Sequence, residues 1–103
     1  MTDSLKERQL TTQEKLNLET ASMTWKELEI SFAQGKLLIV DPGYDLIEVA
    51  AQLSESDLDK IQKLIDKNHL QFASPEWIKN NCDTDTLLWT VVVAPYVVSQ
   101  LKV

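Results

Sequence analysis

Cysteine, histidine and glycine are scarce in this 103-residue chain, and each scarcity closes off a class of chemistry. One cysteine, Cys82, leaves no internal disulfide to form, so an oxidising compartment is not implied. Cys82 and the one histidine, His69, cannot fill a tetrahedral metal shell by themselves. Two glycines, Gly35 and Gly43, are too few for a glycine-rich phosphate loop. Basic residues number 10 against 16 acidic ones, and the net charge of −6 disfavours phosphate backbones and anionic membranes. The one basic cluster, Lys60, Lys63 and Lys67, has Glu55, Asp57, Asp59 and Asp66 around it in the sequence, so nucleic acid is not an expected partner. Long apolar runs are lacking as well. Met1-Thr-Asp-Ser-Leu-Lys-Glu-Arg8 has no apolar core for a secretory signal. The apolar run near the C-terminus is shorter than the roughly 20 residues a bilayer-spanning helix needs, and its β-branched content and Pro95 oppose such a helix. No Asn-x-Ser/Thr acceptor occurs. These features together fit a soluble cytoplasmic protein with no membrane partner.

What is present is a core-forming composition, 44% hydrophobic and 25% charged, in a chain of one-domain length. It is organised around Leu87-Leu88-Trp89-Thr90-Val91-Val92-Val93-Ala94-Pro95-Tyr96-Val97-Val98, a charge-free run rich in Val and aromatics. With period two, Leu87, Trp89, Val91 and Val93 share one face, and Leu88, Thr90, Val92 and Ala94 the other. Both faces are largely apolar, so both require cover.

Taken in order, residues 1–10 lack periodicity and read as a flexible leader ahead of a single domain over 11–103. Thr11 and Glu14 have capping-box spacing and predict a helix through about Met23. Thr24 and Glu27 repeat the signature. Trp25, Leu28 and Phe32 then define a helical face over 24–34, with Gly35 at its end. Leu37–Val40 predicts a buried strand. Asp41-Pro42-Gly43-Tyr44 predicts a type II turn. Residues 46–53 alternate well enough to predict a second strand of a hairpin, although Leu46, Val49 and Leu53 also carry helical spacing. Ser54 or Ser56 caps a helix through Lys67, which Asn68 ends. Leu70–Phe72 is a short strand, and Ser74-Pro75 opens a short helix. Pro95 marks a bulge, a bend or an edge, with the strand turning a corner into Tyr96–Leu101. The expected fold is α+β: a small, mostly antiparallel sheet of three or four strands, with an N-terminal helical pair and helices packed on it.

Lys15-Leu-Asn-Leu-Glu-Thr20, Thr24-Trp-Lys-Glu-Leu28, Asp45-Leu-Ile-Glu-Val-Ala50 and Leu88-Trp-Thr-Val-Val-Val-Ala-Pro-Tyr96 occur in that order. Together they resemble a family of short bacterial proteins known as a domain of unknown function. The match runs from about residue 12 to the end, and its most specific part is Trp89-x-Val-Val-Val-x-Pro95-Tyr96. The resemblance implies a bacterial (cyanobacterial or proteobacterial) cytoplasmic protein and carries no activity, cofactor or catalytic residue with it.

Chemistry-bearing constellations are thin. A Cys82–His69 pair has the residue types of a nucleophile and base, yet Cys82 sits in Asn80-Asn81-Cys82-Asp83-Thr84-Asp85, beside two carboxylates and no cation. That setting raises a thiol pKa. Asp83-Thr84-Asp85 offers two carboxylates to a hard cation, but position six of a calcium loop falls on Leu88, so a solvated turn is the expectation. No catalytic residue, metal or cofactor is expected. Trp25, Trp77, Trp89 and Tyr96 carry the binding potential, mostly as core. Trp89, Pro95 and Tyr96 form the candidate interaction surface, and a homodimer joined through the sheet is the expected assembly of a non-enzymatic interaction protein. The alternative is a small-molecule-binding regulator or minor enzyme with a pocket lined by tryptophans, anchored by Glu48 or Asp85. A carboxylate held near Trp89 in a cavity is its discriminating sign.

Overall fold

The computed structural model describes residues 11–102; the expected leader, residues 1–10, lies outside them. In chain order the elements are α1 (Thr12–Glu19), β1 (Ala21–Thr24), α2 (Trp25–Ala33), β2 (Leu37–Val40), α3 (Leu46–Ser54), α4 (Leu58–Asp66), β3 (Leu70–Phe72), α5 (Pro75–Asn81), β4 (Leu87–Val93) and β5 (Tyr96–Leu101).

Capping decides most helix starts. Thr11 Oγ1 accepts the Glu14 N–H at 3.1 Å while Glu14 Oε1 accepts the Thr11 N–H at 2.8 Å, a complete capping box, and Thr24 and Glu27 build another. Ser74 Oγ accepts the Trp77 N–H, with Pro75 in the first helical turn as expected. Gly35, at φ 72°, and Asn68, at φ 62°, supply the left-handed residues after α2 and α4. The cap of α4 is Asp57 rather than Ser54 or Ser56.

Four expectations about these elements are corrected. The first helix ends at Glu19, not Met23, because Ala21–Thr24 is claimed by an antiparallel ladder with β4. A helix of eight residues has little stability of its own. The one buried apolar side chain described in α1, Leu16, does not hold the next turn against four residues of strand pairing. Residues 46–53 are helix α3, not a strand. Asp45 Oδ1 accepts the N–H groups of Ile47 (2.9 Å) and Glu48 (3.4 Å), and Leu46, Val49 and Ala50 then form a buried helical stripe. The preceding turn is also not type II. Tyr44 N–H reaches Asp41 O at 3.0 Å, but Gly43 stays out of the left-handed region and donates its N–H to Asp41 Oδ1. The long C-terminal strand does not turn a corner. It reverses at Ala94–Pro95, whose peptide is cis, and β5 returns along β4 with Val93 opposite Tyr96.

The sheet therefore has five strands, not three or four, in the order β1-β4-β5-β2-β3. Its ladders are antiparallel except β2–β5, which is parallel. The α+β class stands.

Both sheet faces carry a core, as the two-faced run at 87–98 requires. On one face Val91, Val93, Val98, Leu38, Val40 and Leu70 pack with Leu16 of α1 and with Leu46, Val49, Ala50 and Ala51 of α3. On the other, Leu88, Leu37 and Ile39 pack with Leu28 of α2, joined by Trp25, Phe32, Trp77 and Cys82. Strand β2 supplies both, which explains its unbroken apolar sequence. Cover stops short at opposite ends of β4: Leu87 and Trp89 stay open on the first face, and Val92, 60% exposed, on the second.

Candidate functional site

The open end of the first face forms a cleft of about 330 Å³. Trp89 of β4 and Gln100 of β5, directly opposite each other, make its floor. Leu46 and Ile47 of α3 wall one side, with Asn17 and Thr20 from the end of α1 on another. Asp45 stands at the rim. Gln100 is fixed: its Nε2 donates to Asp41 O at 2.9 Å and also to Tyr44 O, tying the 41–45 loop to β5. Across the Trp89 ring, away from these partners in sequence, Lys102 Nζ lies 4.2 Å from the ring centroid and donates to Ser22 Oγ. The cleft thus joins a half-exposed indole to a carboxylate.

That carboxylate is Asp45, not the expected anchors. Glu48 is an exposed residue of the first turn of α3, and Asp85 sits in the 83–86 turn. The signal for Asp45 was in the sequence: Asp followed three residues on by Glu, before an apolar stripe, marks a helix N-terminus. Nor is the cleft lined by several tryptophans. Trp25, in edge-to-face contact with Phe32 at 5.4 Å, and Trp77 both belong to the core on the opposite face.

The other two residues of the candidate surface lie at the far end of β4. Pro95 is exposed at the hairpin tip, and Tyr96 contacts Phe72 edge-on at 6.0 Å. Trp89 and Tyr96 share a sheet face, yet the strand rise puts them roughly 13 Å apart, so they do not form one patch. Tyr96 instead helps to line an apolar groove of about 260 Å³ between α4 and the β3 edge, with Leu58, Ile61, Ile65 and Phe72. Helix α4 is strongly amphipathic but contributes no fully buried residue. Leu58 is 73% exposed and Phe72 53%.

A third depression, about 190 Å³, lies beyond the 41–45 loop from the Trp89 cleft. Lys60, Lys63 and Lys67 come to it from α4, Tyr44 from the loop and His69 from the start of β3. His69 Nδ1 lies 3.1 Å from Asp41 Oδ2, and its ring packs against Tyr44 at 4.2 Å. The Gly43 N–H and then His69 hold the Asp41 carboxyl below its ordinary range.

Cys82 and His69 are not brought together. Cys82 packs into the α2-side core, while His69 pairs with Asp41 beside α4. Burial first, and Asp83 second, push the Cys82 thiol up, the reverse of an activated nucleophile. The Asp83–Thr86 segment is closed on itself: Asp83 Oδ1 accepts from the Asp85 N–H and the Thr86 hydroxyl. Among the described residues no group of three His, Cys, Asp or Glu side chains is placed to hold a metal, and no helix is long and apolar enough to cross a membrane.

Comparison with curated proteins found no match. The chain is similar to PA1075 from Pseudomonas aeruginosa, whose NMR solution structure aligns with a TM-score of 0.80 at 38% identity, covering 100% of this chain and 92% of that one. A family model described as "Protein of unknown function (DUF2288)" matches residues 11–101. Matched over nearly its whole length, and with a solved relative sharing its fold, the chain belongs to the DUF2288 family.

Proposed function

We propose that this is a non-enzymatic cytoplasmic interaction protein that self-associates through the α4–β3 groove. One observation carries the reading: an amphipathic helix whose apolar stripe, Leu58, Ile61 and Ile65 at i, i+3 and i+7, stays partly open to solvent over a groove. Ile61 packs on the core of the first face, while Leu58 and Ile65 stay exposed beyond it, and exposed apolar side chains on a helix of this kind normally mark an interface. A second copy suits the site because β3, beside the groove, ends the sheet order. Two β3 edges paired about a twofold axis bring Phe72 of each copy to the other's groove, a closed, self-complementary contact. Tyr96 lines this groove, and Pro95 and Trp89 are not among its lining residues.

Light scattering over a dilution series tests this. The parent chain is expected to move from two-chain to one-chain mass on dilution. Leu58→Asp and Phe72→Asp, both at exposed positions, should give one-chain mass throughout with little change in melting temperature. A parent of one-chain mass at every concentration overturns the proposal.

A second reading is favoured by the Asp45 carboxylate beside Trp89. A cleft that joins an indole to a carboxylate, with amides from Asn17 and Gln100, suits a small organic cation. Titration with putrescine should quench tryptophan emission saturably in the parent and weakly in Asp45→Asn, a change that keeps the helix cap. A response linear in putrescine, or equal in both proteins, removes this reading.

A further inference from the structure

The lysines of α4 stand out against the charge of the chain. Lys60, Lys63 and Lys67 fall at i, i+3 and i+7, so one helix face gathers three ammonium groups in a protein of net charge −6. Like charges at this spacing repel. The ordinary explanation, compensation of the helix dipole, covers Lys63 and Lys67 near the C-terminus but not Lys60, which sits in the first turn where a cation is disfavoured.

Of these lysines, only Lys60 is paired in space with one of the acidic residues that surround them in sequence, among the described residues. Asp57 reaches Lys60 at 3.6 Å, and Asp66 is engaged by Gln62 at 2.8 Å. Neither Lys63 nor Lys67 has an ion pair among the described residues, and no acidic residue lines the depression they share. The facing wall adds two more features. Asp41 fixes the His69 ring through Nδ1, leaving Nε2 free of that contact, and the Tyr44 ring backs it. Gln52, from α3, also lines the depression, and its buried Oε1 has no hydrogen-bond partner, so the floor has polar capacity that the fold leaves unused. Turned about, the same amide presents N–H donors.

From this convergence we infer that the depression is a binding site for a small phosphate-bearing anion, held by Lys60, Lys63 and Lys67 with His69. At about 190 Å³ the open depression has room for a phosphate group with a short substituent. The overall negative charge repels an extended polyanion while the local field attracts a compact one.

The test is amide chemical-shift titration of the full chain at constant ionic strength, with inorganic phosphate in one arm and glycerol 3-phosphate in the other. Saturable shifts centred on Tyr44, Lys60, Lys63, Lys67 and His69 are expected. Tighter binding of the ester identifies an organic phosphate as the ligand, and tighter binding of the free ion identifies inorganic phosphate. Lys63→Gln/Lys67→Gln, at exposed helix positions, should raise Kd by about tenfold per lysine and leave melting unchanged. Shifts that grow linearly and match those from sodium chloride overturn the inference, as does an unchanged Kd in the double variant. This site shares no residue with the α4–β3 groove, so the solution mass and the anion titration can fail separately.

Discussion

Val91→Asp is expected to abolish cooperative unfolding, whereas Val92→Asp, one residue further on, should keep a native melting transition. The two side chains leave the same strand in opposite directions. Val91 is 1% exposed, lies opposite Val98 at 0%, and packs with Val93 and the α3 stripe. A carboxylate there either stays charged in an apolar core or takes up a proton and remains without partners. Either outcome costs several kcal/mol, against a total stability of about 5–15 kcal/mol for a domain of this size. Val92 points to the other face beyond the reach of the α2-side core and is 60% exposed. Asp there loses strand propensity, a penalty of about 1 kcal/mol. Circular dichroism melts of both variants at low protein concentration check this. Loss of the transition in Val92→Asp as well would mean that the uncovered end of the second face is covered in solution, and the half-open description of the sheet would fall.

That contrast also shows what was legible in the sequence. The run at 87–98 announced a strand with two apolar faces, and the structure supplies a core on each. Sequence did not reveal that cover ends at different places on the two faces, because that depends on where α3 and α2 land. Capping residues were the most reliable local signals: Thr11, Thr24, Ser74, Gly35 and Asn68 all act where their chemistry predicts. Sequence and structure differ where one signal competes with another, distant at 21–24 and local at 46–53. Ala21–Thr24 has no strong preference, and its pairing with β4 lies more than sixty residues away in sequence. At 46–53 the alternation of Ile47, Val49, Ala51 and Leu53 imitated a strand, while the Asp45 cap settled the matter for a helix. Of the candidate surface, Trp89 and Tyr96 are divided between two depressions by the length of strand between them. In sequence, acidic neighbours interleave with the lysine cluster and mask it. On the helix those neighbours do not line the shared depression.

Two of the three depressions are linked through one piece of backbone. The 41–45 loop carries Asp45 into the Trp89 cleft and Tyr44 into the lysine depression, and Asp41 fixes His69 from the same loop. Its anchor is Gln100, whose amide donates to carbonyls at both ends of the Asp41–Tyr44 turn. The groove under α4 is attached differently, through Leu70, Phe72 and Tyr96 of the sheet. The lysine depression and the groove both draw on α4, one through its charged face and the other through its apolar stripe, and their tests are separable because they share no residue.

The second large effect is expected from a pair of hydroxyls buried in the centre of the sheet. Thr90 and Ser99 face each other across the β4–β5 ladder with their oxygens 2.9 Å apart, at 2% and 0% exposure. Their partners are unequal. Thr90 Oγ1 also reaches Leu88 O at 3.4 Å, whereas Ser99 Oγ has Thr90 as its one hydrogen-bond partner among the described residues. Thr90→Val, which keeps the side-chain shape, therefore strands a buried hydroxyl and should cost about 1–3 kcal/mol. Ser99→Ala leaves Thr90 a remaining acceptor and should cost less. Removing both hydroxyls strands nothing, so Thr90→Val/Ser99→Ala should be more stable than Thr90→Val alone, with a coupling of about 1 kcal/mol or more by denaturant unfolding. Additive single effects would show that the pair contributes nothing as a pair. The arrangement has a consequence for the hairpin: slipping the β4–β5 register by two residues separates the hydroxyls inside an apolar layer, whereas many apolar pairs survive such a slip. The Thr90–Ser99 bond thereby specifies the register that places Trp89 opposite Gln100 and Val93 opposite Tyr96, and with it the geometry of both the cleft and the groove.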